Sequence, residues 1–238
     1  MALTKNTFNP FLFTSSLRAY NKWASHYDDE EDNLMLLYDS KIQELLLSSI
    51  NIKDKFILDY GCGTGRNWNN ILKKNPEKIT GCDISKEMLK RLKDKFPNAD
   101  VHLLKKNELS FAREKSIDLL LSTLVLAHIK NVGKLFVEWD KILKLNSDIV
   151  LTDFHPDLLE RGGERTFRHE GALIKIRNYE HKISDLQNLL AEYGFKTILL
   201  IEQRIDEEVR SFYERHNALK VYDKFYGVSF IYGLHLQR

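Results

Sequence analysis

The sequence predicts an α/β fold: a parallel sheet, doubly wound, with helices on both faces. Three observations predict it. Short apolar runs alternate along the chain with segments whose apolar residues recur at helical spacing. The run at 56–58 leads into Asp59, then glycines at alternate positions (Gly61, Gly63, Gly65), then a helix-like segment at 67–74. Strand, glycine turn and helix in that order bring bare main chain against a nucleotide, because side chains at the turn would hold it away. The next apolar run, 78–84, contains Asp83 near its end, about 20 residues past the glycine turn, where a carboxylate can accept hydrogen bonds from ribose hydroxyls.

The elements follow in order. Residues 1–15 lack a clear period, and 1–9 are expected to be flexible. A helix over 16–24 carries Tyr20 and Trp23, which with Tyr27 are spaced three and four apart. The acidic run 28–32 is expected to cap a helix over 33–50, whose Leu34, Leu37, Tyr38, Leu45 and Leu46 should face the sheet. Pro76 ends the helix after the glycine turn. Ser85 is a good N-cap for a helix over 86–96, with Met88, Leu89, Leu92 and Phe96 inward. A third strand spans 101–104. The fourth, 117–125, is the most strongly buried-strand-like run in the chain. A helix over 132–143 shows a clean apolar stripe, and a fifth strand spans 148–154. Residues 155–181 then break the alternation, and a long connection of this kind in a compact fold is more often functional than idle. A helix over 184–193 stops at Gly194. A strand at 197–205, a charged helix at 206–216 and a last strand at 228–236 complete the chain.

At 238 residues, with 43% hydrophobic and 29% charged residues, the chain can bury a full core as one domain, 1–238, with a cap at 155–181. The formal charge of +2 leaves no basic surface for nucleic acid. Cys62 and Cys82 make no disulfide framework, which suits a reducing cytoplasm. No apolar run is long enough to span a membrane. Asp153, His155 and Asp157 are close together, but nothing has metal-ligand spacing, and no metal is expected.

Glycine spacing discriminates between nucleotides. A dinucleotide fingerprint, G-x-G-x-x-G, needs its third glycine where Arg66 stands. The G-x-G-x-G found here, with an acid two residues before it and Asp83 beyond, resembles the class I S-adenosyl-L-methionine-dependent methyltransferases, over about residues 16–236. The small-molecule branch, which includes ubiquinone/menaquinone and biotin-pathway enzymes, is the most similar. The resemblance implies a Rossmann-like sheet of seven strands, mostly parallel, the last antiparallel, with the cofactor across the carboxyl ends of the first four. It implies that Gly61, Gly63 and Gly65 cradle the methionine and ribose, that Asp59 helps hold the ammonium, and that Ile84, Met88 and Thr123 join Asp83 as contacts. The phrase from Tyr20 to Asp28 resembles the family's Y-x-x-x-A-x-x-Y-D opening segment, which makes 16–50 a helical lid and Tyr20 and Tyr27 its cofactor contacts. The turn 105–111 resembles the adenine-binding turn, although lysines and Ser110 replace its usual residues; Lys106 and Asn107 are the candidate contacts there.

Methyl transfer from a sulfonium is an in-line displacement, in which positioning can supply roughly 7–11 kcal/mol. A base is needed only when the acceptor must lose a proton. His155, His181 and Tyr179 are the candidate acceptor-side groups, and His128 is expected near the cofactor loop. After the fourth strand stands Ser-Thr-Leu-Val, not the Asn/Asp-Pro-Pro-Tyr of nucleic-acid amino methyltransferases. A small-molecule acceptor, apolar or aromatic, methylated at O or N and less readily at C, is therefore expected, on a monomer or homodimer. A protein or RNA methyltransferase and a non-catalytic S-adenosylmethionine-binding subunit are the rival readings; a nicotinamide-dependent enzyme is a third, against which Arg66 speaks.

Overall fold

The computed structural model of the chain describes residues 12–29, 33–105, 108–170 and 172–238. It opens with a short strand, β1 (Leu12–Thr14), helix α1 (Ser16–Trp23), a 3-10 turn at Tyr27–Asp29 and helix α2 (Leu34–Ser48). The alternating part follows: β2 (Phe56–Tyr60), α3 (Trp68–Leu72), β3 (Lys78–Asp83), α4 (Lys86–Lys95), β4 (Asp100–Leu103), β5 (Ile117–Thr123), α5 (Val132–Ile142) and β6 (Leu143–Phe154). Beyond it come α6 (Pro156–Glu160), β7 (Thr166–His169), β8 (Ala172–Ile176), α7 (Ile183–Ala191), β9 (Lys196–Arg204), α8 (Glu207–Arg215), α9 (Leu219–Phe225) and β10 (Ser229–Gln237).

Seven strands form one sheet in the order β4-β3-β2-β5-β6-β10-β9, with β10 antiparallel to both its neighbours. Its two faces are legible in the strands themselves. Ile57, Leu119, Leu121 and Val150 join one core cluster with Ile42, Trp68 and Met88. Leu58, Leu120, Ile149 and Leu151 join the other, with Phe136, Trp139 and Leu186. Successive strand residues point to opposite faces, so continuous apolar runs are what a sheet covered on both sides requires. Phe136 and Trp139 are each 1% exposed, and burying such side chains stabilises by about 1.5–3 kcal/mol apiece.

Several expectations need correction. Helix α2 turns a different stripe inward: Leu36, Tyr38, Ile42, Leu46 and Leu47 are buried, whereas Leu37 and Leu45 are exposed. Its N-cap is Asn33, whose side chain accepts hydrogen bonds from the backbone N–H groups of Met35 and Leu36. Residues 30–32 of the acidic run lie outside the described residues, as do 1–9. Helix α4 is capped by Ser85 as expected, the hydroxyl accepting from Met88 N at 3.2 Å. The connection at 155–181 is not irregular. Strands β7 and β8 form a hairpin, and β1 adds in parallel to β8, giving a three-stranded sheet. This small sheet packs onto α1 through Phe167, which stacks on Trp23 with ring centroids 4.6 Å apart. Helix α9 was not expected at all.

Candidate active site

The strand order reverses between β2 and β5: β3 and β4 lie on one side of β2, β6 and β10 beyond β5. At such a switch point the loops leaving the two strands diverge and open a crevice at the carboxyl ends. A cavity of about 400 Å³ occupies it, lined by the loops after β2, β3 and β5 and roofed by Tyr20 and Tyr27.

Its floor is main chain. Gly61 and Gly63 have φ of +76° and +52°, the left-handed region that side chains disfavour. A Cβ on Gly61 would sit 2.2 Å from Val125 Cγ2, whereas one on Gly63 would meet nothing within 4 Å and would project into open space. Asp83, at the end of β3, holds the loop: its Oδ2 accepts from Gly63 N at 2.9 Å and its Oδ1 from Ser85 N at 2.7 Å. Each oxygen keeps a further lone pair. Burial pushes the Asp83 carboxyl up to about 6, against the pull of these backbone donors.

Asp59, one residue before the end of β2, accepts from Trp68 Nε1 at 2.7 Å through Oδ2. Its Oδ1 is buried without a partner, and Asp59 lines a small polar recess with Tyr27, Gly61 and Thr64 beside the main cavity. Burial raises its pKa to about 7, opposed by the Trp68 hydrogen bond. Arg66, which occupies the position of the missing third glycine, lines the recess beside Asp59 and turns its guanidinium to α2. It pairs with the fully buried Asp39 of α2 and donates to Leu36 O at 3.1 Å, and Asp39 in turn accepts from Thr152 of β6. One side chain thus ties the glycine loop to α2, and Asp39 carries the tie on to β6.

Helix α1 and the turn after it are tied to the glycine loop and to α4. Thr64 Oγ1 donates to Asp28 at 2.6 Å, Lys95 pairs with Asp28 at 2.7 Å, and Ser85 Oγ donates to Asn21 at 2.7 Å. Tyr20 reaches across the cavity to His128, its hydroxyl 2.9 Å from Nε2. The His128 Nδ1 faces Arg177 O at 3.3 Å, so Nδ1 carries the proton and Nε2 accepts from the tyrosine. Burial, and next the Arg165 charge, depress His128 to about 3, and burial raises Tyr20 far above its ordinary value.

Of the residues expected from the sequence, Tyr20, Tyr27, Gly61, Gly63, Asp83, Ile84, Met88 and Thr123 line this one cavity. Asp59 faces the adjoining recess. Gly65 does not reach either; its Cα packs toward Leu92 and Trp68. Lys106 and Asn107 lie outside the described residues. The three acceptor-side candidates are not gathered together. His155 is the N-cap of α6, with Nδ1 accepting from Asp157 N at 3.1 Å and Nε2 donating to Glu202 at 2.7 Å. His181 donates through Nε2 to Ile129 O at 2.8 Å. Tyr179 donates to Ala127 O through its backbone N–H and lines a hollow with Arg18 and Arg177 that adjoins the main cavity at Ser16 and His128. None of the three lines the main cavity, whereas His128 and the lid tyrosines do. Among the described residues no group of three His, Cys, Asp or Glu is placed to hold a metal ion.

Residues 58–151 match the methyltransferase domain family. The fold is that of the class I methyltransferases. Across the wider chain, the sequence is 25% identical over 240 aligned positions to an uncharacterized methyltransferase of Emericella nidulans, covering 83% of each protein. It is 30% identical over 113 positions to the ribosomal RNA small subunit methyltransferase A of Mesomycoplasma hyopneumoniae, covering 46% of this chain and 42% of that one. The magnesium protoporphyrin IX methyltransferase of Synechocystis, solved with bound S-adenosylmethionine, superposes with a TM-score of 0.61 at 15% identity, covering 92% of this chain and 91% of that one.

Proposed function

We propose that the protein is an S-adenosylmethionine-dependent methyltransferase of a small-molecule acceptor. The observation that carries this reading is the convergence of the Gly61–Gly63 main chain, Asp83 and the unpartnered Asp59 oxygen on one crevice under Tyr20 and Tyr27. That set fits the cofactor. The free lone pairs of Asp83 suit ribose hydroxyls, the Asp59 Oδ1 suits an ammonium, and the bare backbone at Gly63 leaves room where a Cβ would intrude. When bound, S-adenosylmethionine supplies an electrophilic methyl group on a cationic sulfur.

The protein's own part is alignment and exclusion of water. Tyr20 and Tyr27 close the cavity, and the Tyr20–His128 hydrogen bond fixes the roof to the loop after β5. His128 stays neutral and is a weak base, and Tyr20 keeps its proton. This favours an acceptor that is already nucleophilic at neutral pH, an oxyanion or neutral amine, over one that must be deprotonated in the site. His155, with both ring nitrogens engaged, is better read as a helix cap than as that base. Two free, buried cysteines agree with a reducing compartment such as the cytoplasm.

Calorimetry tests the reading. The protein is expected to bind S-adenosylmethionine and S-adenosylhomocysteine, and Asp83→Ala to weaken both at least tenfold. No heat of binding at millimolar ligand would remove the assignment. Methyl release to candidate acceptors in a product assay then separates an enzyme from a binding subunit.

A further inference from the structure

A second cavity, about 710 Å³, lies beyond the roof of the first, walled by Trp23, Phe154, Leu173, Phe225 and Phe230, with Arg165 in its wall. Arg165 is 4% exposed, and its Nε and Nη1 are buried without a hydrogen-bond partner. The nearby carboxylates are already engaged: Asp39 by Arg66 and Thr152, Asp153 by the backbone N–H groups of Ala127 and Phe154. What surrounds the guanidinium is aromatic, with Tyr20, Trp23 and Phe154 rings 5.6, 5.5 and 5.2 Å from its central carbon. Ring faces soften the loss of hydration but supply no acceptor for N–H groups. Asp153 and Asp39 still favour the charged guanidinium from a distance, but they give Nε and Nη1 no acceptor, and a hydrogen-bonded anion would supply one.

We infer that Arg165 is the anion receptor of the acceptor subsite: it takes a carboxylate on a molecule whose apolar body fills the second cavity. The planar guanidinium matches a carboxylate in two-point contact along its Nε–Nη2 or its Nη1–Nη2 edge, and each edge contains one of the two unpartnered nitrogens. The Tyr20 ring that Arg165 faces also lines the first cavity, so the bound anion is one ring away from the cofactor crevice. The inference rests on the proposed methyl transfer only in naming the bound molecule an acceptor.

The probes are decanoate, decanol and decylamine, which share an apolar body and differ in head group. Their affinities are measured by calorimetry, with and without saturating S-adenosylhomocysteine. Wild type should bind decanoate at least tenfold more tightly than either isostere. Arg165→Lys should keep part of that preference and Arg165→Gln should abolish it. Equal affinities in the wild type, or a preference intact in Arg165→Gln, would overturn the inference. So would a tenfold loss of S-adenosylhomocysteine binding in Arg165→Gln with the decanoate preference unchanged, which would assign the anion to the cofactor's own carboxylate. A wild type that prefers decanoate yet ignores S-adenosylhomocysteine would remove the transferase reading and leave the anion site standing.

Discussion

Asp59 keeps one carboxylate oxygen in a buried recess with nothing to accept from. Its carboxyl titrates near 7 because burial penalises the charge. The stability it contributes by holding a proton is complete below its ordinary value of 3.8 and is lost as pH rises to about 7. The ligand-free protein should therefore lose stability across that window, and Asp59→Asn, which keeps the acceptor for Trp68, should flatten the slope in urea melts at pH 4 to 7. An ammonium placed beside it reverses the preference. S-adenosylmethionine affinity in the wild type should rise between pH 6 and 7.5, and in Asp59→Asn it should be weaker and nearly flat. Arg66 and Asp39 form the other decisive pair. Arg66→Met leaves a fully buried carboxylate without its cation, and should cost about 3–5 kcal/mol in urea denaturation. Asp59, Asp83, Gly61 and Gly63 could be placed at the crevice from spacing because their positions follow from chain geometry; Gly65, read the same way, packs against Leu92 and Trp68 instead. Arg165 could not be found in this way: its meaning depends on which rings surround it and which acids are already taken, facts that arise only on folding.

At the scale of elements, the glycine turn separates binding from folding. Gly63→Ala puts a methyl group into the cavity at positive φ, so it should cost about 1–2 kcal/mol of stability yet weaken S-adenosylmethionine binding tenfold or more. Gly61→Ala collides with Val125 as well and should lower the melting temperature further. Thermal melts beside calorimetry would show the two effects diverging. Strands such as β5 and helices such as α5 were legible because a single period runs their whole length. Helix α2 was misread because leucines fall on both its faces, and sequence alone does not say which row meets the sheet. Strands β1, β7 and β8 are only three to five residues long, too short for a period to announce them, and β1 pairs with a strand far away in the chain. His155 looked chemical for its place after β6; the Pro at its next position makes it the start of a helix instead.

For the whole molecule, the reversal of strand order puts the crevice where the loops after β2 and β5 part, and the residues before β2 are folded back to roof it. That roof is held by the Thr64–Asp28, Lys95–Asp28 and Tyr20–His128 contacts rather than by sheet pairing. Hydrogen exchange should accordingly be faster at residues 16–29 than in β2, β5 and β6, and S-adenosylhomocysteine should slow exchange in that segment far more than in the strands. Equal protection with and without the ligand would show a roof that does not respond to occupancy.

The Arg66 junction bears on redesign. Restoring glycine at that position would supply the spacing a pyrophosphate needs, and a protein engineer would first try it to exchange one nucleotide for another. Here the same exchange would strip Asp39 of its counter-ion and release the loop from α2 and, through Asp39, from β6. Ligand choice and the docking of α2 are therefore decided by one codon, and a switch would succeed only with Asp39 neutralised alongside it.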